Sequence, residues 1–175
     1  MNNSPKVKGD RSEGLILAAF LEAGKVVLTP FGDNQRYDLV IDEAGTFIRI
    51  QCKTGRLRKG AVEFNACSTH EHRGHGSRDY RGQADIFGVY CPDTDKIYLV
   101  PVTDVPKSRG SLRVSASRNN QTKGVRTADQ YEFDAGVAQL VERSPGTREV
   151  AGSTPVTSLQ ERPGTHGNPA RGSEA

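Results

Sequence analysis

Two strand-like segments joined by a short turn constrain the fold of this 175-residue chain most. Residues 36–42 contain an apolar run that ends at Ile41, and residues 46–54 alternate apolar and polar side chains, which is the pattern of β-strands. The segment Glu43-Ala44-Gly45-Thr46 between them indicates a tight hairpin turn. We therefore expect the two segments to form adjacent antiparallel strands.

This hairpin would bring an acid, an amide and a lysine within reach of one another. Asp38 lies on the first strand, and Gln51 and Lys53 lie two residues apart on the second, so the latter two point to the same face. Cys52 alternates with them and is expected to face the core. Hydrolysis of a DNA phosphodiester uses a hard cation on oxygen ligands and a positive charge near the attacking water or the phosphate. The three polar residues therefore indicate a candidate phosphodiester-cleaving centre.

A predicted helix over residues 10–23 supplies a further carboxylate, Glu13. Apolar side chains recur at helical spacing between Leu15 and Phe20, and Asp10 or Ser12 can cap the helix start. A carboxylate in the first turn is also favoured by the helix dipole. Glu13 is therefore either a site residue or a solvated acid at the helix start.

Glu13 in a helix, Asp38, and the string Gln51-Cys52-Lys53 together resemble the core of PD-(D/E)XK nucleases. The resemblance is to the variant found in endonucleases associated with group I introns, and it covers roughly residues 9–133. Tyr37 stands where the motif name has proline, and Gln51 replaces the usual acid, a change that the intron-associated members accept. The resemblance implies a restriction-endonuclease-like α/β core, with a mixed β-sheet flanked by helices.

The resemblance also implies a function and roles for the four site residues. It implies a metal-dependent DNA endonuclease of the homing kind, in which Asp38, aided by Glu13 and the Gln51 oxygen, holds Mg²⁺ or Mn²⁺ against the scissile phosphate. Lys53 would orient or deprotonate the attacking water. The substrate would be double-stranded DNA, and because cutting both strands needs at least two active sites, the resemblance implies a homo-oligomer, a dimer or a tetramer.

Two other functions remain open. A structure-selective nuclease of the Holliday-junction-resolving kind shares the layout of a glutamate, an aspartate and an acid-x-lysine pair. The chain could instead be a decayed DNA-binding protein that has lost its chemistry, and Gln51 is the residue that raises this possibility. Dependence of activity on Mg²⁺ separates the enzyme from the binding protein.

Basic side chains follow the predicted strand that contains Gln51 and Lys53. The formal net charge of +3 permits an anionic partner without requiring one. Side chains of this type contact phosphates and position a duplex, although a merely solvated basic surface is the alternative. The predicted DNA-binding residues are Arg56, Arg58, Lys59, Arg73, Arg78 and Arg81.

Further strands are predicted on both sides of the motif. They cover residues 25–29 and 61–67, a hairpin made of residues 84–90 and 96–100, and an edge strand at residues 111–114. Residues 127–131 are expected to close the domain.

The ends of the chain differ in composition from the predicted domain. Residues 1–8 are read as a polar leader, and residues 134–175 as a low-complexity tail rich in Pro, Gly, Ser, Thr, Arg and Glu. Back-translation of residues 137–143 and 150–155 permits the D arm and the TΨC arm of a transfer RNA. Our hypothesis is that the tail is a reading frame that runs through a tRNA gene, which agrees with a homing enzyme that targets such a gene.

The positions of the cysteines and histidines argue against a disulfide framework and against a structural zinc site. The chain has an odd number of cysteines, Cys52, Cys67 and Cys91, without paired spacing, which favours a reducing cytoplasm over a disulfide framework. No stretch approaches the roughly 20 apolar residues of a membrane span. The histidines between His70 and His75 lack the second ligand pair that structural zinc sites use, and a solvated loop is the better interpretation.

Overall fold

A computed structural model of the protein describes residues 4–32, 35–68, 78–115 and 124–134. Over these ranges the chain forms one α-helix, ten strands and two short 3-10 helices. Their bounds are α1 Pro5–Glu22, β1 Val26–Leu28, β2 Leu39–Glu43, β3 Thr46–Thr54, β4 Arg56–Arg58, β5 Ala61–Asn65, β6 Cys67–Ser68, β7 Arg78–Asp79, β8 Ile86–Cys91, β9 Lys96–Pro101, β10 Arg109–Arg113, and the 3-10 helices Val102–Asp104 and Ala128–Tyr131.

The main sheet has the strand order β1-β2-β3-β8-β9. Strands β3 and β8 run parallel, and the other neighbours run antiparallel. This arrangement confirms the mixed sheet of a restriction-endonuclease-like core. We expected more than one flanking helix. The described ranges contain a single α-helix, which packs against β3 and β8.

The predicted hairpin is present as β2 and β3. Ala44 and Gly45 form the two-residue turn with φ of 50° and 90°, the positive values that a type I′ turn requires. The side chain of Asp42 accepts a hydrogen bond of 2.7 Å from the N–H of Gly45, which fastens the turn. The resulting register pairs Leu39 with Ile50.

Helix α1 begins at Pro5, and the predicted start near residue 10 was therefore wrong. Ser4 is the N-cap, its hydroxyl accepts from the N–H of Val7 at 3.4 Å, and Pro5 occupies the first turn, where its fixed φ suits a helix. Part of the expected polar leader is thus helical. The buried face of the helix consists of Ser12, Ile16 and Phe20.

The helix lies close to the main sheet because Gly88 on β8 has no side chain. A Cβ at this position would stand 3.2 Å from the side chain of Ile16 and 3.1 Å from that of Ile50. The apolar core on this side of the sheet contains Ile16, Phe20, Leu39, Ile41, Ile48, Ile50, Ile86, Tyr90 and Leu99, with Cys52 packed against it.

A second sheet, with the order β10-β5-β4, lies on the other side of the main sheet. Its buried side chains Val62, Phe64 and Leu112 join a core with Phe87 and Val89 of β8. Strand β4 was not predicted, and it follows β3 directly after Gly55. A Cβ at Gly55 would lie 2.8 Å from Val62, so only glycine allows this close passage between the two sheets.

Several expectations concern residues beyond the described ranges. Arg73, the histidines between His70 and His75, and residues 135–175 of the tail all fall there. In the parts that the structure describes, no helix is long and apolar enough to cross a membrane. Cys52, Cys67 and Cys91 are free thiols.

Candidate active site

Asp38 stands at the point where β2 stops pairing with β3. Its N–H donates to the carbonyl oxygen of Ile50 at 2.8 Å, which extends the ladder by one residue. Its carboxylate oxygen Oδ2 then accepts from the N–H of Cys52 at 2.7 Å. The side chain of Asp38 thereby takes the place of a further strand residue, so that β3 holds the carboxylate rigidly.

Gln51 adds a second hydrogen bond to the same carboxylate oxygen. Its Nε2 donates to Oδ2 of Asp38 and, at 3.3 Å, to the carbonyl oxygen of Cys52. Both partners are acceptors, so the amide NH₂ must face them, and the amide oxygen of Gln51 stays available for another ligand. Only 8% of Gln51 is exposed, which fixes this orientation.

The environment of Asp38 favours its neutral form. Burial raises the pKa of this carboxyl, although the N–H of Cys52, the charge of Lys53 and the amide of Gln51 oppose the rise. Within the described residues, no hydrogen bond reaches the other oxygen, Oδ1. A buried carboxylate with a free oxygen is well suited to gain a cation, because the cation offsets the cost of burying the charge.

Glu13 reaches the same region from α1. The hydroxyl of the neighbouring Ser12 is 2.7 Å from that of Thr54, at the end of β3, and this partly buried contact fastens the helix to the strand. Partial burial raises the pKa of Glu13, and the charge of Asp38 raises it further. Burial and the charges of both carboxylates raise the pKa of Cys52. The charges of Glu13 and Asp38 therefore act on each other and on Cys52, which is consistent with both acids lying in the same region.

Lys53 continues the face that Gln51 begins, and it is held by a residue that sequence reasoning did not assign to the site. Its Nζ donates to the hydroxyl of Tyr80 at 2.9 Å and lies 4.4 Å from the centre of the Tyr80 ring. Tyr80 is 5% exposed and packs edge-on against Phe87, with 5.6 Å between ring centroids. The position of Lys53 thus depends on a rigid aromatic ring.

Arg36 supports Tyr80 from another direction. Its guanidinium carbon is 4.2 Å from the centre of the Tyr80 ring. The same guanidinium donates to the side chains of Gln83 and Ser68, each at 2.7 Å, and to the carbonyl oxygen of Asp79 at 2.9 Å. Arg36 therefore joins the segment before β2 to the segment around Tyr80, and no local pattern in the sequence signals this link.

The donor set fits a hard divalent cation. Asp38 Oδ1, the amide oxygen of Gln51 and the carboxylate of Glu13 are all oxygen donors of the kind that Mg²⁺ and Mn²⁺ accept. No group of three or more His, Cys, Asp or Glu side chains comes together among the described residues. Such a sparse set suits an ion that keeps several waters and takes phosphate oxygens from its substrate.

The basic residues predicted to contact DNA differ in their surroundings. Arg56 and Arg58 are exposed on β4 and line a cleft of about 600 Å³ that Lys53 and Tyr80 also line. Lys59 follows in the exposed turn after β4, and Arg78 is exposed on β7. The guanidinium of Arg81 donates to the carbonyl oxygen of Val105 at 3.1 Å, so it takes part in holding the fold.

Comparisons with known proteins agree with this geometry. A solved structure described as that of a bacterial homing endonuclease, I-Ssp6803I, superposes with a TM-score of 0.62 at 26% sequence identity, covering 74% of this chain and 89% of that one. No curated protein matches the chain. The model of the PD-(D/E)XK endonuclease family matches residues 3–134, which contain every element described above. The chain therefore belongs to the PD-(D/E)XK endonuclease family.

Proposed function

We propose that the protein is a metal-dependent DNA endonuclease of the intron-associated homing kind, which cuts double-stranded DNA within a tRNA gene. The observation that carries the proposal is the cluster at the end of β3, where Asp38 and Gln51 share a hydrogen bond and Lys53 opens onto a basic cleft. The similarity to a bacterial homing endonuclease supports the homing function.

The oxygens of Asp38, Gln51 and Glu13 would hold Mg²⁺ or Mn²⁺. The ion would supply a Lewis acid for the scissile phosphate and would lower the pKa of bound water. Asp38 contributes the negative charge, and its hydrogen bonds from Gln51 and Cys52 keep the free oxygen aimed away from β3. Because these groups are fixed before DNA arrives, little reorganisation is needed during the reaction.

Lys53 acts on the attacking water or on a non-bridging phosphate oxygen. An ammonium group has three N–H donors, and the hydroxyl of Tyr80 accepts one of them. The other two remain for the phosphate and the water. Lys53 thus stabilises charge that develops during in-line attack, in the manner of other positively charged groups at phosphoryl centres.

Two features of the chain and one requirement of the reaction support the proposed target, oligomeric state and location. The tail from residue 134 permits codons for two arms of a tRNA, which suggests that the gene adjoins such a target. Double-strand cleavage needs two active sites, so we propose a homo-oligomer. Three free thiols agree with a protein that works in the cytoplasm.

The test is cleavage of a plasmid that carries an uninterrupted tRNA gene from the source genome, with Mg²⁺ and with EDTA. Wild type is compared with Asp38→Asn, which keeps the size of the side chain but removes its charge. Asp42→Asn, on the same hairpin, is the matched control. We expect a discrete cut that requires Mg²⁺, that Asp42→Asn retains and that Asp38→Asn abolishes.

Two other outcomes would contradict the proposal. If the protein binds DNA in a salt-sensitive manner and no variant cuts any substrate, it is a binding protein that has lost its chemistry. If four-way junctions are cut and linear duplex is not, the protein is a junction-resolving nuclease.

A further inference from the structure

The small sheet β10-β5-β4 has one polar face and one buried face. Val62, Phe64 and Leu112 point inward to the core. The register pairs Arg56 with Glu63, Ser111 with Glu63, and Arg109 with Asn65, and side chains that pair in this way lie on the same face. The polar side chains of this outward face are Arg56, Arg58, Glu63, Asn65, Arg109, Ser111 and Arg113, and Ala61 lies buried among them.

Four side chains of the outward face keep their hydrogen-bonding groups free. Arg56, Arg58, Asn65 and Ser111 are exposed, and among the described residues they form no side-chain hydrogen bond or ion pair. The other two arginines are engaged within the sheet. Arg109 lies 3.6 Å from the carboxylate of Glu63, and Arg113 donates to the carbonyl oxygen of Lys59 at 3.0 Å.

The outward face is directly connected to the candidate active site. Lys53 and Arg56 are separated by only Thr54 and Gly55, and an extended chain advances about 3.3 Å per residue. The cleft of about 600 Å³ is lined by Lys53 as well as by Arg56, Arg58, Glu63, Asn65 and Arg109. A duplex whose phosphate reached Lys53 would therefore present its neighbouring base pairs to this face.

We propose that the outward face enters the major groove and reads base edges through Arg56, Arg58 and Asn65, an inference that rests on the proposed nuclease function. These three side chains lie on the two-stranded ribbon of β4 and β5, and the major groove, about 12 Å wide, admits a two-stranded β-ribbon. Arginine pairs with the edge of guanine through two hydrogen bonds, and asparagine pairs in the same way with adenine. Sheets are known to bind DNA in this position.

The outward face combines four arginines with one carboxylate, so it attracts DNA and also offers an acceptor that base edges can use. Glu63 stands in the middle strand of the face, between Arg56 and Ser111. The carboxylate of Glu63 lies 3.6 Å from Arg109, and it can also accept a hydrogen bond from the amino group of cytosine, a donor that phosphates lack. The face thus offers donors and an acceptor together, which is what the edges of bases require.

The test is selection from a pool of random duplexes in EDTA, where no cutting occurs, followed by sequencing of the bound DNA. Arg56→Lys and Arg58→Lys keep the charge and lose the planar fork of the guanidinium. Asn65→Ala removes the amide. Arg11→Lys, on the exposed side of α1, is the matched control. The salt dependence of binding is measured for each protein.

We expect each lysine variant to lose preference at one base position, by roughly five- to 150-fold, with an unchanged salt dependence. The affected positions should lie within about five base pairs of the cut, because β4 reaches no further from Lys53. Arg11→Lys should select the same sequence as wild type.

The inference is overturned if the wild type selects no sequence, or if Arg56→Lys and Arg58→Lys select the wild-type sequence. Adding Mg²⁺ to the same preparations tests the nuclease separately. If wild type cuts DNA and the variants select the wild-type sequence, the proposed nuclease function stands and base recognition by the outward face is refuted. If the variants select an altered sequence and no protein cuts DNA, base recognition by the outward face is supported and the nuclease function is refuted.

Discussion

The Nζ of Lys53 lies 2.9 Å from the hydroxyl of Tyr80. Tyr80 is held by the edge of Phe87 on one side and by the guanidinium of Arg36 on another. A lysine side chain has four rotatable bonds and many conformations of similar energy. The contact with Tyr80 selects one of them, so that the ammonium group stays at the mouth of the cleft.

Tyr80→Phe should reduce cleavage while leaving the fold and DNA binding unchanged. The ring and its packing remain, but Lys53 loses the acceptor that positions it, and misplacement of a reacting group by about 1 Å costs roughly 100-fold in rate. We expect a 10- to 100-fold lower single-turnover rate under saturating protein. Tyr90→Phe is the control, because it removes a hydrogen bond to Asp95 instead. A wild-type rate for Tyr80→Phe would show that the hydroxyl does not position Lys53.

Lys53→Ala should abolish cutting and leave binding nearly intact. Loss of a group that assists proton transfer and stabilises charge lowers the rate by about 10²- to 10⁴-fold. Lys8→Ala is a useful control, since Lys8 lines the same cleft from α1. Gel-shift and single-turnover measurements on both variants separate binding from chemistry. If purified Lys53→Ala cuts at the wild-type rate, Lys53 has no role in the reaction.

Gln51→Glu should lower the stability of the metal-free protein and increase the stabilisation that Mg²⁺ provides. The amide that now donates to Asp38 would become a second carboxylate facing the first, and loss of a buried hydrogen bond typically costs about 1–3 kcal/mol. A divalent ion reverses the repulsion, so Mg²⁺ should raise the melting temperature of Gln51→Glu more than that of wild type. Gln83→Glu is the control, because the oxygen of Gln83 accepts from Arg36 and glutamate can do the same. Equal stability of Gln51→Glu and wild type in EDTA would argue against the hydrogen bond.

The stability of the metal-free protein should depend on pH through the ionisation of Asp38. Burial raises the pKa of this carboxyl in the folded state above its ordinary value of 3.8, so the folded state binds the proton more tightly than the unfolded state does. The contribution of Asp38 to stability is therefore fully present below pH 3.8 and is lost as the pH rises through the raised folded pKa.

Urea unfolding of wild type and Asp38→Asn across this pH range measures the effect. In EDTA, the free energy of unfolding of wild type minus that of Asp38→Asn should fall as the pH increases. With Mg²⁺ the fall should be smaller or reversed, since metal binding requires the ionised carboxylate. A difference that does not change with pH in EDTA would mean that Asp38 has an ordinary pKa.

Local sequence patterns were enough to predict the hairpin that carries the candidate active site. The hairpin of β2 and β3 follows from alternation and from Ala44-Gly45, and the same alternation places Gln51 and Lys53 on one face. The α1 start was missed because apolar periodicity begins well after the Ser4-Pro5 signal. Strand β4 was missed because it is only three residues long and its side chains are exposed.

The residues that hold the site residues in place could not be predicted from local sequence patterns. Tyr80 is 27 residues from Lys53, and Ser12 is 42 residues from Thr54. A single sequence shows no relation between residues so far apart, because the contact is created by the packing of other elements. The same holds for Arg81, whose bond to Val105 depends on how two loops meet.

The parallel pairing of β3 with β8 has a consequence for how the enzyme is made. Residues 46–50 pair with β2 in a local hairpin, whereas residues 51–54 pair only with β8, after the intervening segment 55–85 has been synthesised. Closing a loop of that length costs on the order of 3 kcal/mol of chain entropy. A nascent chain on the ribosome can therefore form the hairpin early, but Lys53 reaches its place only when β8 docks. We expect a truncated translation product that ends before β8 to be harmless to the DNA of its host.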